Sequence, residues 1–330
     1  MGSPFKLAVP LGRTSVDAGG SVARPRPRAG LAPWVRLACV LLGLTAAAVA
    51  HATPVSVQDD AGTPIRLSHP AHRIVTLAPN LTELVAAAGG LPDLVAVSRF
   101  SDYPPGVRRL PVVSDAFGIN LEAIAKLKPD LLVVWRSGLE VRQRERLRAL
   151  GVAVFDSEID TVPGIASTLR RLGVLMGTEA AANAAALHVE QQWSALLARY
   201  RGVSPVRVFY QAWGQPLMTL NGRHLISQAM AACGGVNVFA GLSPLTPTVS
   251  WEAVLASKPQ LVITDRQAAA DTRALWQRMA TPALGSSVPV AGVNADLSTR
   301  MGPRFVQGAQ ELCEAIDHVR HQSATSPARD

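Results

Sequence analysis

The chain has 330 residues, of which 48% are hydrophobic and 17% are charged, a composition that excludes an intrinsically disordered protein and allows about two domains. Its formal charge of +8 arises mainly in residues 1–52, because the remainder holds 26 basic and 23 acidic residues, a formal charge of +3. No basic stripe with interleaved aromatic residues follows residue 52, so we expect no nucleic-acid partner.

Residues 1–52 are predicted to be a leader that ends in an export signal. Arg36 precedes an apolar run, residues 37–50, that is too short to span a bilayer comfortably. Residues 50–52, Ala-His-Ala, form the small-x-small pattern of a cleavage site. We therefore expect cleavage near Ala52 and an exported mature protein; a membrane anchor is the alternative.

The next region, residues 53–177, is predicted to contain strands that alternate with helices. Asn80 is expected to cap a helix that begins at Leu81, and Glu83 gives it a capping-box-like start. A second helix is predicted at 142–150, and strands at 73–77, 94–98, 131–134 and 152–155. Alternation of this kind predicts a parallel sheet covered on both faces.

A long helix is predicted at residues 178–201, because this run is rich in Ala and Leu and contains no Pro or Gly. It would span about 35 Å, which predicts little hinge motion around it. The region that follows is again predicted to contain both strands and helices. The helices are predicted at 225–233 and 305–320, and the strands at 206–211, 261–264 and 288–293.

Residues 121–134 and 251–264 align without a gap, which indicates two similar lobes. The expected fold is therefore α/β, with two Rossmann-like lobes that contain parallel sheets, one backbone helix that joins them, and a ligand cleft between them. The predicted boundaries are a leader at 1–52, an N-terminal lobe at 53–177, a connecting helix at 178–202 and a C-terminal lobe at 203–330.

A proline and several aromatic and charged residues are expected beyond the carboxyl ends of the strands, where open parallel sheets bind ligands. They are Pro79, Tyr103, Trp135, Trp213, Asp296 and Arg300. Aromatic walls with a few polar groups suit a large flat ligand with polar edges. The alternatives are that the tryptophans belong to the core, that Tyr103 forms a rigid turn, and that Asp296 and Arg300 form a surface ion pair.

Glu122 and Glu252 occupy matching positions in the repeat. Each lies two residues after a capping residue, Asn120 or Ser250, so each is predicted in the first turn of a helix. A carboxylate there is favoured by the helix dipole alone. Their equivalent placement in two lobes also suits a pair of acidic contacts for a partner with two-fold symmetry.

Cys233 and Cys313 are the cysteines that follow the leader. An oxidising compartment makes a disulfide between them the expected state, and two buried free thiols are the alternative. The third cysteine, Cys39, precedes most of the apolar run of the leader, which argues against a lipoprotein.

The common catalytic and metal-binding motifs are absent from the sequence, including G-x-S-x-G, H-E-x-x-H, C-x-x-C and the Walker loop. His69 and His72 are close together, but they flank a proline in a segment that is a poor platform for a metal. We therefore expect no enzyme, no metal site and no cofactor. A secreted enzyme that uses Asp296 or Glu252 as a base is the distant alternative.

Six segments between residues 69 and 319 carry a resemblance to a known family. They are RIVTLAPNLTEL, SDYPPGVRRLPVVSD, GINLEAIAKLKPDLLVVWRSG, ACGGVNVF, VSWEAVLASKP and residues 296–304. The chain resembles the periplasmic solute-binding proteins of ATP-binding-cassette importers, in the class with a helical backbone between the lobes. Within that class it is most similar to the cobalamin receptors.

The resemblance implies roles for individual residues. Those that would line the corrinoid cleft are Pro79, Tyr103, Trp135, Asp296 and Arg300. Glu122 and Glu252 would meet arginines of the permease, and Cys233 would pair with Cys313. Two cleft tryptophans expected from the family fall here at Ala116, beside Phe117, and at Thr246, whereas Trp213 and Met218 approximate its other cleft residues. We therefore include Phe117 and Trp213 among the candidate ligand residues.

The resemblance also implies a monomeric, non-enzymatic periplasmic receptor that captures cobalamin, or a related corrinoid, and delivers it to the permease subunits of an importer. Cobalamin would be the transported ligand and not a cofactor. A haem or ferric-siderophore receptor of the same fold is the alternative, although such a receptor usually has more basic groups in its cleft.

Overall fold

The computed structural model describes residues 54–325, and two β-sheets form the framework of this region. A short antiparallel hairpin, β1 (Val55–Gln58) and β2 (Pro64–Leu67), precedes the first sheet. The strands of that sheet are β3 (Ile74–Thr76), β4 (Leu94–Ser98), β5 (Val112–Asp115), β6 (Gly118–Ile119), β7 (Leu131–Trp135) and β8 (Ala153–Ser157). Their order is β6-β5-β4-β3-β7-β8, and only β6 runs antiparallel to its neighbour.

The second sheet is wholly parallel. Its strands are β9 (Val206–Tyr210), β10 (Gly235–Asn237), β11 (Leu261–Asp265) and β12 (Val290–Val293), in the order β10-β9-β11-β12. Parallel strands end at the same edge of a sheet, so each sheet has one carboxyl edge on which the following loops are gathered.

Helices cover the faces of both sheets. They are α1 (Pro79–Val85), α2 (Leu121–Leu127), α3 (Val141–Arg148), α4 (Val162–Met176), α5 (Glu179–Arg199), α6 (Leu225–Ala232), α7 (Trp251–Ala256), α8 (Ala269–Met279), α9 (Thr281–Leu284), α10 (Ala295–Ser298) and α11 (Phe305–Thr325). Along β7, Leu131 and Val133 pack into one apolar cluster, and Leu132 and Val134 pack into another. Successive side chains of a strand point to opposite faces, so this sheet is buried on both sides, as predicted.

The predicted strand at 94–98 and the long helix at 178–201 are confirmed, the latter as α5. In the chain, α5 lies between the last strand of the first sheet and the first strand of the second. It crosses α4 closely at Gly173, where any Cβ would overlap with the Cβ of Ala182. The absence of a side chain at Gly173 therefore allows the two helices to approach.

The predicted start of the first helix is wrong. Asn80 does not cap it: α1 begins at Pro79, and its N-cap residue, Ala78, makes no side-chain capping bond. A proline is well suited to the first helical position, because its missing N–H has no partner there in any helix. Glu83 is consequently not part of a capping box and has a different role, described below.

Several elements have no counterpart in the sequence predictions: β1, β2, β5, β6, β10, α4, α8, α9 and α10. The strands have four residues or fewer, too few to show a periodic pattern. For α4 a signal was present, since Thr161 caps the helix and Pro163 lies in its first turn.

The sequence repeat is also a structural repeat. Arg73 Nε donates to the carbonyl oxygen of Lys128 at 3.2 Å, and Arg207 Nε donates to that of Lys258 at 2.9 Å. Both lysines have left-handed backbone geometry, with φ of 45° and 46°. The same turn therefore joins a helix to a strand in each lobe, which supports the interpretation of 121–134 and 251–264 as equivalent segments.

The predicted disulfide is present between Cys233, at the end of α6, and Cys313, in α11. Their Cα atoms are 5.1 Å apart, and both residues are fully buried. The alternative of two free thiols is therefore wrong. The predicted leader and its cleavage site at Ala52 lie outside the described residues. Within residues 54–325, no helix is both long and apolar enough to cross a membrane.

His224 is expected to make the stability of the protein depend on pH. Its Nδ1 accepts a hydrogen bond from the backbone N–H of Ile226 at the start of α6, at 3.2 Å, and burial lowers its pKa to about 4. As pH falls, the histidine of the unfolded chain, with a pKa of about 6.5, is protonated before His224 of the folded protein. The contribution of neutral His224 to the free energy of unfolding is therefore present above pH 6.5 and is lost as pH falls towards 4.

The expected loss is about 1–2 kcal/mol, because the side chain is only partly buried. Urea unfolding at pH 7 and pH 4.5 measures it. The variant His224→Asn keeps a good capping residue without the titration, so its unfolding free energy should fall less over the same range. Equal pH dependence in the two proteins would contradict the assignment.

Candidate ligand site

The residues selected from the sequence follow the carboxyl ends of strands in both sheets. In the first sheet, Pro79 follows β3, Tyr103 lies in the loop after β4, and Trp135 is the last residue of β7. Phe117 occupies the turn between β5 and β6. In the second sheet the corresponding residues are Trp213 after β9 and, after β12, Asp296 and Arg300.

The candidate aromatic side chains are exposed and are not part of the core. The exposed fraction is 43% for Tyr103, 98% for Phe117, 42% for Trp135 and 63% for Trp213. The alternative that the two tryptophans are core residues is therefore wrong. Large aromatic groups left exposed at a sheet edge are typical of a ligand or partner site.

Local contacts hold the two tryptophans in place. Gly138 lies against the Trp135 ring so closely that a Cβ at this position would overlap with it. Trp213 donates from Nε1 to the carbonyl oxygen of Gln215 at 2.8 Å, and its backbone pairs with that of Met218. Each ring therefore has a preferred orientation, which lowers the entropic cost of stacking against a ligand.

A cavity of about 480 Å³ adjoins Trp213 in the second lobe. Its lining includes Gln211, Thr264, Asp265, Asp271 and Leu275. Gln211 is itself buried, and its side chain is held by Trp276 Nε1, at 3.0 Å, and by the Thr272 hydroxyl, at 3.3 Å. The Gln211 side chain in this wall is therefore held in a fixed position, and the lining combines apolar, amide, hydroxyl and carboxylate groups.

Arg300 links the carboxyl edges of the two sheets. Its Nη1 lies 2.6 Å from Oδ1 of Asp102 and 3.1 Å from Oε1 of Glu83, both in the first lobe. Its Nη2 lies 2.7 Å from Oδ1 of Asp296, four residues earlier. The ion pair between Asp296 and Arg300 is therefore present, but the Arg300 side chain is only 12% exposed and the pair is part of a larger cluster.

The same contacts shift the pKa values of the charged groups in this cluster. Burial opposes ionisation of Arg300, but hydrogen bonds to Asp102 and Glu83 outweigh it and raise the pKa of the guanidinium. Burial likewise acts to raise the pKa of Asp102, and the hydrogen bond and charge of Arg300 outweigh it and lower that pKa. Both groups are therefore charged at neutral pH.

A second arginine, Arg304, joins the cluster. It forms two hydrogen bonds with the carboxylate of Glu83, from Nε at 2.8 Å and from Nη2 at 2.6 Å. Its guanidinium carbon lies 3.9 Å from the centre of the Tyr103 ring, a cation–π contact. The hydrogen bonds to Glu83 outweigh burial and raise the pKa of Arg304.

Sequence reasoning missed Glu83, Asp102 and Arg304. Asp102 immediately precedes Tyr103, and Arg304 lies four residues after Arg300. Their closeness in the sequence to candidate ligand residues could therefore have indicated both. Glu83 offered none, because its spacing from Asn80 matches a capping box that does not form.

Glu122 and Glu252 lie in the first turns of α2 and α7. The predicted caps are present: Asn120 accepts from the N–H of Ala123, and Ser250 accepts from that of Ala253. Both glutamates are exposed, and Glu122 also pairs with Lys126 at 2.7 Å. A hydrogen bond from the Ser250 hydroxyl lowers the pKa of Glu252.

Comparison with known proteins gives a consistent result. A family model for the periplasmic binding proteins matches residues 74–289. A vitamin B12-binding protein of Yersinia pestis is 39% identical over 251 residues, which are 76% of this chain and 88% of that protein.

Solved structures of the same fold are also similar. The periplasmic vitamin B12 binding protein BtuF of Vibrio cholerae matches 76% of this chain and 98% of its own, with 35% identity and a TM-score of 0.70. The periplasmic heme-binding protein RhuT from Roseiflexus sp. RS-1 matches 76% of this chain and 99% of its own, with a TM-score of 0.65, and at 20% identity it shows the fold alone. The chain belongs to the periplasmic binding protein family.

Proposed function

We propose that this protein is a periplasmic receptor that captures cobalamin, or a closely related corrinoid, and delivers it to an ATP-binding-cassette importer. The observation that carries the proposal is the bond from Arg300 of the second lobe to Asp102 of the first. It links two sheet edges with exposed aromatic side chains, Tyr103, Phe117 and Trp135 on one and Trp213 on the other. The identity of 39% to a vitamin B12-binding protein supports it. Pro79, Tyr103, Phe117 and Trp135 would contact the ligand from one lobe, and Trp213, Asp296 and Arg300 from the other.

The charge balance of the cluster favours cobalamin over haem or a ferric siderophore. Arg300 and Arg304 are the cations of the cluster, and both are paired with carboxylates, those of Glu83, Asp102 and Asp296. An acidic ligand such as haem would need unpaired cations for its propionates. The corrin rim carries neutral carboxamides, which can donate to carboxylates and accept from guanidinium groups at the same time.

The same geometry supports a receptor and not an enzyme. Asp296, the candidate base of the enzymatic alternative, is paired with Arg300, and Glu252 is exposed at the start of a helix. The hydroxyl next to Glu252, that of Ser250, caps the helix by accepting from the N–H of Ala253. Binding followed by hand-over to a permease requires only a complementary surface, and the two glutamates of the repeat would provide the docking contacts.

The variant Trp135→Ala is expected to weaken cobalamin binding by about 1–3 kcal/mol, as for a buried aromatic anchor at an interface. The ring is 42% exposed in the ligand-free protein, so its removal should cost little stability while deleting a stacking surface. Calorimetric titration of both proteins with cyanocobalamin measures the difference.

Leu187→Ala is a suitable control, because Leu187 is an apolar residue of α5 that is 50% exposed and lies outside the candidate site. Its affinity should equal that of the wild type. Unchanged affinity in Trp135→Ala would remove this tryptophan from the ligand site.

A further inference from the structure

Glu83 is a buried carboxylate at the junction of the two lobes. It lies in α1, after the first strand of the first sheet, and its side chain is 2% exposed. Among the described residues, the cationic groups within ion-pair distance of it are Arg300 and Arg304 of the other lobe, 217 and 221 residues later in the chain. A buried charge of this kind is stable only when it is fully paired.

The pairing geometry is specific. Arg304 approaches the carboxylate with two N–H groups, one to each oxygen, and Arg300 donates a third hydrogen bond to Oε1. Two-point contacts between a guanidinium and a carboxylate fix orientation as well as distance. The remaining N–H groups of both arginines therefore point in directions that Glu83 determines.

Each arginine in turn contacts candidate ligand residues. Arg300 bonds to Asp296 and Asp102, and Arg304 covers the Tyr103 ring at 3.9 Å. The Glu83 carboxylate thus orients the ion pair of Arg300 and Asp296 in the second lobe and the Tyr103 ring in the first. No other acidic side chain among the described residues bonds to both arginines.

We propose that Glu83 is a positioning residue that sets the spacing of the two lobes before ligand arrives and holds Arg300, Arg304 and Tyr103 in the orientation that the ligand meets. The spacing is a property of the ligand-free protein. The effect on affinity rests on the proposed function, because it assumes that cobalamin occupies this cleft.

The test uses the mature protein with Glu83→Gln, which keeps the shape of the side chain and removes its charge. Spin labels at Arg146→Cys in α3 and Gln277→Cys in α8, both exposed positions, report the distance between the lobes. We expect a broader distance distribution without ligand than in the labelled wild type. We also expect cobalamin affinity to fall about tenfold, mainly through faster dissociation, as when a residue that orients a ligand contact is removed.

Glu190→Gln is the matched control. Glu190 forms a two-point ion pair with Arg170, at 2.7 and 2.8 Å, between α5 and α4 and away from the sheet edges. Its removal should change neither the distance distribution nor the affinity. Glu83→Asp, which restores the charge on a shorter side chain, should give a narrower distance distribution and a higher affinity than Glu83→Gln.

Should Glu83→Gln fail to fold, Arg304→Lys provides the same test. Lysine keeps the charge but cannot form the two-point contact, so the distribution should broaden in the same way. A distribution and an affinity equal to those of the wild type in either folded variant would overturn the proposal. The distance measurement needs no ligand, so it supports or refutes the positioning role even if the wild type binds no cobalamin.

Discussion

Reversing the charge of both Glu122 and Glu252 is expected to abolish cobalamin uptake and receptor-stimulated ATP hydrolysis by the reconstituted importer, with unchanged cobalamin affinity in solution. The two glutamates occupy equivalent first turns in the two lobes and are exposed. Each exposed pair with a permease cation would contribute little energy alone. Together they would orient the receptor and accelerate its association, so the variant Glu122→Arg with Glu252→Arg should repel the permease.

The control for this experiment is Glu179→Arg. Glu179 is also an exposed glutamate in the first turn of a helix, α5, but it lies outside the repeat. The Glu179→Arg substitution removes the same favourable interaction with a helix dipole and should leave transport intact. The single reversals should be milder than the double one, and the defect should shrink as salt weakens the wild-type contact. Normal transport by the double variant at low salt would leave both glutamates as helix-start residues only.

Removing the disulfide, with Cys233→Ala and Cys313→Ala together, is expected to lower the free energy of unfolding by about 4 kcal/mol. The bond joins residues 80 apart in the chain, so its main effect is to restrict the unfolded ensemble. Both sulfurs are buried, and Cys233 Sγ lies 3.1 Å from the carbonyl oxygen of Ala229. Alanine therefore leaves a small void, which adds to the loss.

Urea unfolding of the oxidised wild type and of the double alanine variant measures this difference. The single variant Cys313→Ala separates the contribution of the bond from that of the second void, because it already lacks the bond. A change below about 1 kcal/mol in the double variant would show that the cross-link constrains the unfolded chain far less than loop-closure entropy predicts.

The strands and the aromatic edge could be predicted because they depend on local patterns. A continuous apolar run such as 131–134 predicts a buried parallel strand, and the structure has that strand, with Trp135 as its last residue. The exposure of Trp135 and Trp213 follows from the same position at strand ends. The repeat was equally visible, because the turn at Lys128 recurs at Lys258.

The ionic cluster could not be predicted in the same way. Glu83 and Arg300 are separated by 217 residues, and no local pattern encodes their contact. The residues around Glu83 instead matched a capping box, a local rule that the fold overrides by starting the helix at Pro79. Short strands such as β6, with two residues, also depend on a neighbouring strand and not on their own sequence.

Calorimetric titration of the mature protein with cyanocobalamin, and separately with haemin, tests the central claim most directly. We expect one cobalamin per protein with a dissociation constant below about 1 µM, which corresponds to about −8 kcal/mol, and much weaker binding of haemin. The paired arginines of the cluster and the exposed aromatic edges of both sheets account for that preference. No heat with cyanocobalamin together with tight binding of haemin would contradict the account.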